Sequence, residues 1–152
     1  MTPKKILIVE DQWESSDLIC DVLKLTFKEW DIEQVESSRE AIDRGTNETF
    51  DLMIIDIALA DGLTGLDIIR KLYEAKAEKT PRMILVTGLG DKAIQGQDAG
   101  RKWMEQLSDV EKKLVAGFFQ KPYPWREFLT TIAHSMGTTL PEKVKFFEEK
   151  AA

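Results

Sequence analysis

Four places in the chain carry side chains able to do chemistry, and each lies at the end of a short apolar run, Lys121 one residue beyond it. Glu10 and Asp11 follow Ile6–Val9, Asp56 follows Phe50–Ile55, Thr87 follows Met83–Val86, and Lys121 follows Val115–Phe119. Short runs rich in Ile, Val and Phe read as strands, and runs without alternation read as strands buried on both faces. In an open parallel sheet, ligands bind beyond the carboxyl ends of the strands. Three carboxylates, a hydroxyl and an ammonium would then share one edge. Carboxylates that close repel and raise one another's pKa, and a divalent cation relieves this. Oxygen donors without His or Cys suit magnesium, with manganese as the alternative. Magnesium takes one or two carboxylates, keeps waters and adds phosphate oxygens. The set is therefore suited to bringing a phosphoryl group next to a carboxylate. Asp56, between the acidic pair and the lysine, is the natural nucleophile. Lys121 would pair with phosphoryl oxygens, and Thr87 could hydrogen-bond one of them. Each residue alone has an ordinary reading as a turn, a cap or a strand exit; their coincidence at strand ends carries the argument.

The elements that must position these residues alternate. A weaker run at Ile32–Val35 supplies a fifth strand. Helical stripes lie at Leu18, Val22 and Leu25, at Leu66, Ile69 and Tyr73, and at Trp125, Phe128, Leu129, Ile132 and Met136. Ser37 and Glu40 read as a capping box opening a short helix that stops near Gly45, and Gly137 ends the last long helix. Strand and helix repeated five times implies a doubly wound α/β parallel sheet.

With 152 residues and 17.4 kDa the chain is one domain's length. A net charge of −6 and a pI near 4.9 argue against direct nucleic-acid binding. No apolar run approaches the ~20 residues of a membrane helix, so no membrane insertion is expected. The single cysteine, Cys20, reads as core packing and fits a reducing, cytoplasmic setting. His134, the only histidine, sits on the last helix in a chain with strands and is not read as a phosphohistidine carrier.

In KILIVEDQ, LMIIDIALADGLTGLDII, ILVTG and GFFQKPYPW, taken in this order, the chain resembles the receiver domain of two-component response regulators. The resemblance covers residues 4–137. It implies a flavodoxin-like five-stranded sheet of order 2-1-3-4-5, the order the general rule for this class also gives. It implies that Asp56 accepts the phosphoryl group and that Asp11 is a direct magnesium ligand, with Glu10 its acidic neighbour. It further implies the backbone carbonyl of Ala58 as a ligand, Thr87 as the switch hydroxyl, Phe118 as the aromatic that follows it, and Lys121 as the partner of the acyl phosphate. A cis Lys121–Pro122 peptide is expected from the same source. The partners implied are a histidine kinase or histidine phosphotransfer protein upstream and a protein target downstream, reached through helix four, strand five and helix five. Catalysis would be limited to the chain's own phosphoryl transfer and autodephosphorylation.

Several features depart from the common pattern. The loop from Asp56 to Gly65 is one residue longer, with Ala60 where proline is frequent. Ala58 and Leu89 are apolar at positions that tune phosphoryl lifetime in the family, so slow self-dephosphorylation is expected. The stretch from Thr87 to Lys121 is roughly eight residues longer than one helix, two connections and a strand require. Within this insertion, 89–114, Arg101 to Leu107 reads as helix and Ser108 with Glu111 as a further cap. Trp103, Met104, Leu107, Val110 and Leu114 either cover the sheet as an enlarged helix-four region or form a partner or homodimer surface. Trp13, two residues past Asp11, is expected at the exposed rim. The tail, 138–152, carries Leu140, Val144 and Phe147 behind Pro141 and reads as a short helix with no room for an output domain. Two other readings remain open: a phosphorylation-independent scaffold, and a magnesium-dependent phosphatase, for which Asp61 is the remaining candidate second acid.

Overall fold

The runs ending at Val9, Ile55 and Val86 form strands with both faces covered, whereas the Val115–Phe119 run, expected to be buried on both faces, is half-buried throughout because it is the last strand of the sheet. In the computed structural model, which describes residues 3–88 and 99–141, β1 (Lys5–Val9), β2 (Asp31–Val35), β3 (Leu52–Asp56), β4 (Arg82–Thr87) and β5 (Val115–Gln120) make one sheet of order 2-1-3-4-5, with every pairing parallel. The helices are α1 (Trp13–Thr26), α2 (Ser38–Asn47), α3 (Gly65–Lys76), α4 (Ala99–Glu105), α5 (Asp109–Lys112) and α6 (Trp125–Ser135). The described part of the insertion, 99–114, holds two short helices, α4 and α5, near the Arg101–Leu107 pattern and the Ser108–Glu111 cap, and α6 takes the place of the helix five expected from the sequence. Met136 and Gly137 follow it directly, as the glycine signal predicts.

Two cores sit on opposite faces of the sheet. On one, Ile6, Ile8, Ile54, Ile84 and Val86 meet α1 and α6, with Cys20 buried among them. On the other, Leu7, Val9, Met53, Ile55, Met83 and Leu85 meet α2 and α3. Trp103, Met104 and Leu114 pack against this second core and Leu107 is buried in it, so the described part of the insertion covers the sheet, while Val110 stays exposed. The α5 capping box is present, with Ser108 accepting from the Glu111 N–H and the Glu111 carboxylate accepting from the Ser108 N–H at 2.8 Å.

Two helix readings need correction. On α1 the stripe is shifted: Val22 is buried, but Leu18 and Leu25 are 54% and 61% exposed. Ile19, Cys20, Leu23 and Thr26 face the sheet instead. Apolar residues are dense enough on this helix to allow more than one 3.6-residue phase, and contact with β1 and β2 selects the other. On α2, Ser37 caps as read, accepting from the Glu40 N–H, but the helix runs through Gly45 to Asn47. Gly45 is a packing position: a Cβ there would lie 2.8 Å from Leu72 Cδ2 on α3. Leu89, Gly90, Gly96, Val144 and Phe147 lie outside the described residues, and with them the tail helix expected beyond Pro141.

Candidate functional site

Register brings the reactive groups together. Val9 pairs with Ile55, so Glu10 and Asp56 leave neighbouring strands side by side. Asp56 pairs with Val86, and Thr87 with Gln120. The Lys121 N–H then donates to the Thr87 carbonyl at 2.8 Å, which sets the lysine at the same edge. The Lys121–Pro122 peptide that follows is cis, as expected.

Carboxylate oxygens of Glu10, Asp11 and Asp56 lie within 4.8 Å of one another. Lys121 Nζ donates to Glu10 Oε1 at 2.8 Å and sits 3.7 Å from Asp56 Oδ2. The Ala58 N–H donates to Asp56 Oδ1 at 2.9 Å, and the Ala60 N–H to Asp11 Oδ2 at 3.0 Å. Glu10, Asp56 and Thr87 are buried, whereas Trp13 stands 66% exposed at the rim. Burial, and next the adjoining Glu10 carboxylate, push the Asp56 carboxyl up to about 8, against the opposing pull of the Ala58 N–H and Lys121.

At this edge, among the described residues, two buried oxygens have no hydrogen-bond partner: Glu10 Oε2 and Thr87 Oγ1. Unpaired buried polar atoms are costly. One carboxylate oxygen and one hydroxyl at the same edge are suited to a cation and to an oxyanion. Three carboxyl groups converge on one ammonium, an all-oxygen donor set that fits a hard divalent cation.

The loop after β3 is held closely. The Ile57 N–H donates to the Val86 carbonyl at 2.9 Å, the Gly65 N–H donates to the Ile57 carbonyl at 3.0 Å, and Ala58 bridges Thr64. Thr64 and Asp67 cap α3 reciprocally. Gly65 was singled out by sequence only as a loop end, yet a Cβ there would lie 3.1 Å from Ile57 Cα and 3.2 Å from the Asp56 carbonyl oxygen. Backbone at that distance has little room to yield. Gly65→Val is therefore expected to displace the Asp56–Ala58 segment and weaken divalent-cation binding, read by calorimetric titration; unchanged binding would show that the loop absorbs the side chain.

Asp61 lies elsewhere. Its Oδ2 accepts from Ser38 Oγ at 2.5 Å and from the Arg39 N–H at 3.3 Å, at the start of α2. Among the described residues the acidic cluster is Glu10, Asp11 and Asp56, so the phosphatase reading loses its second acid. Phe118, on β5, packs half-buried against the second core, the side of Trp103 and Met104, while its neighbour Phe119 faces the first.

Residues 6–102 match the family described as the response regulator receiver domain. The chain belongs to this family. The receiver is 33% identical over 98 residues to the transcriptional regulatory protein ResD of Bacillus subtilis, covering 63% of this chain and 38% of ResD. It is 31% identical over 100 residues to the response regulator protein PilR of Pseudomonas aeruginosa, covering 66% of this chain and 22% of PilR. It thus spans less than two fifths of either relative. A CheY-like receiver domain protein from Methanospirillum hungatei superposes with a TM-score of 0.68 at 23% identity, over 90% of this chain and 95% of that one. TrrA from Thermotoga maritima, solved in complex with Mg2+-BeF, superposes at 0.64 and 20% identity, over 87% and 98%. These likenesses show the receiver fold. The receiver is a module of two-component signalling, and none of its described helices is long and apolar enough to cross a membrane.

Proposed function

We propose that the receiver unit, residues 4–137, takes a phosphoryl group onto Asp56 and uses it to change partner at the α4–β5–α6 face. The observation that carries this is the buried Asp56 carboxylate set between an acidic pair and Lys121, with Thr87 Oγ1 and Glu10 Oε2 left without partners. Glu10, Asp11, Asp56 and the Ala58 carbonyl would hold magnesium, or manganese in its place. Bound there, the cation supplies neutralisation of the charge on the transferring group.

An Asp56 carboxylate oxygen attacks phosphorus, and the P–N bond of a phosphohistidine on a kinase or phosphotransfer protein breaks, its electron pair leaving on the imidazole nitrogen. Acetyl phosphate would serve in the same way, with acetate leaving. Lys121, already between Glu10 and Asp56, pairs with a phosphoryl oxygen. The Thr87 hydroxyl, buried and unpartnered, donates to another. Phe118 follows on the α4 side of the sheet. The phosphoryl group moves the equilibrium only by its differential affinity for the two states, and attack of water on phosphorus returns Asp56 and phosphate. On this reading the chain's own catalysis consists of this transfer and the hydrolysis that ends it.

Intact mass after incubation with acetyl phosphate tests the reading: one phosphoryl group gained with Mg2+ and none without. No gain in folded, Mg2+-loaded protein, from acetyl phosphate or from a phosphorylated kinase, would favour the phosphorylation-independent scaffold. The lifetime is expected to be long, because Ala58 and Leu89 offer no side-chain hydrogen bond to an attacking water. The phosphoprotein should decay more slowly after separation from donor than Ala58→Asn does, and equal decay would remove that expectation.

A further inference from the structure

The loop bearing the proposed Ala58 ligand is fastened on two sides. Ala60 gives its N–H to Asp11 in the acidic site, and the next residue, Asp61, reaches the opposite way to α2. The partner there, Ser38, is fully buried, and the second Asp61 oxygen is itself buried. The α2 helix has its own N-cap, Ser37, which serves the Glu40 N–H; Asp61 takes the Arg39 N–H that Ser37 leaves free. A helix start thus receives one cap from within and a second, charged cap from the site loop. The Ser38 hydroxyl, first, and the surrounding backbone N–H groups hold the Asp61 carboxyl below the usual range, so the charged form makes these bonds.

Consecutive Cα atoms are about 3.8 Å apart, so a backbone displacement of Asp61 away from α2 carries Ala60 with it. That movement would loosen the Ala60 bond to Asp11 and shift Ala58 two residues earlier. We propose that Asp61, seated on Ser38 and Arg39, is a positioning residue that preorganises Asp11 and Ala58 for the divalent cation. The inference rests on the metal reading of the proposed function. Ordering the loop before binding removes an ordering cost from the binding step. By reciprocity, cation binding strengthens the Asp61–α2 contact by the same factor.

Calorimetric titration with Mg2+ on the full chain tests this, using Asp61→Ala, Asp61→Asn, Ser38→Ala and, as a control, Ser37→Ala. Loss of a partner outside the first coordination shell typically lowers metal affinity 10–100-fold. Asp61→Ala and Ser38→Ala are each expected to weaken Mg2+ about tenfold, at the low end of that range. Asp61→Asn, which keeps an acceptor for Ser38 and Arg39, should recover most of the loss. Ser37→Ala removes a cap from the same helix and should lower the melting temperature while leaving Mg2+ affinity unchanged. Wild-type affinity in both Asp61→Ala and Ser38→Ala, or equal weakening in Ser37→Ala, would overturn the proposal and leave Asp61 an ordinary helix cap. A wild type that takes up no Mg2+ would instead overturn the metal reading beneath it.

Discussion

Asp56→Asn takes up no phosphoryl group from acetyl phosphate and, in chelator, melts higher than the wild type at pH 8.5. The first effect is all-or-none, because an amide oxygen is no nucleophile toward phosphorus at neutral pH. A persistent mass gain in the variant would place the acceptor on Glu10 or Asp11 and overturn the assignment. The second effect follows from the carboxyl lying at about 8 instead of its ordinary value near 3.8. Between those two values the folded state holds a proton that the unfolded state has lost. Stability contributed by this group is therefore full below the ordinary value and is lost as pH rises toward 8. Asparagine has nothing to lose. Its advantage should be absent near pH 4 and complete above pH 8, with a shift of ~2–4 °C for each kcal/mol in a chain of this size. Equal melting temperatures at pH 8.5 would mean that Lys121 and the Ala58 N–H fully offset the burial.

Phe128→Ala has the second large effect, on stability. Phe128 is fully buried on α6. Its ring stacks on Tyr123 at 4.5 Å between centroids and meets Phe119 at 5.2 Å and Trp125 at 5.7 Å edge-on. Truncating a buried phenylalanine costs about 3–5 kcal/mol, a large part of the roughly 5–15 kcal/mol that holds a domain together. Urea unfolding should show the midpoint falling accordingly, with Trp125→Ala losing less because Trp125 is half-buried. A loss under about 1 kcal/mol would mean that the three remaining rings close over the space. Tyr123 follows Lys121–Pro122 directly and Trp125 comes two residues later, so surviving protein should also bind Mg2+ more weakly.

The sheet and the site edge were legible because they depend on strands. An apolar run ending in a polar residue says where a buried strand stops, and stopping points of parallel strands share one edge. That logic joins Glu10 to Lys121, 111 residues apart, from strand ends alone. The helices gave less: Leu18 and Leu25 matched a helical period as well as Ile19, Val22 and Leu23 did, and only the neighbouring strands decide between them. Least legible were the contacts between loops and helix starts. Nothing in the spacing of Ser38 and Asp61, 23 residues apart, announces their hydrogen bond. The close approach at Gly65 had one weak signal, a glycine at the first position of a helix, where its flexibility would otherwise be a disadvantage.

Adjacent residues Phe118 and Phe119 point to opposite cores because side chains alternate across a strand. Substitutions that share no partners combine nearly additively. The two sides of this sheet are therefore free to diversify at different rates. Residues around Trp103 and Met104 can change without disturbing the aromatic set behind Lys121, which is inherited intact. On the signalling face proposed above, a change of downstream partner would then draw on one side of β5 and leave the side that supports Lys121 untouched.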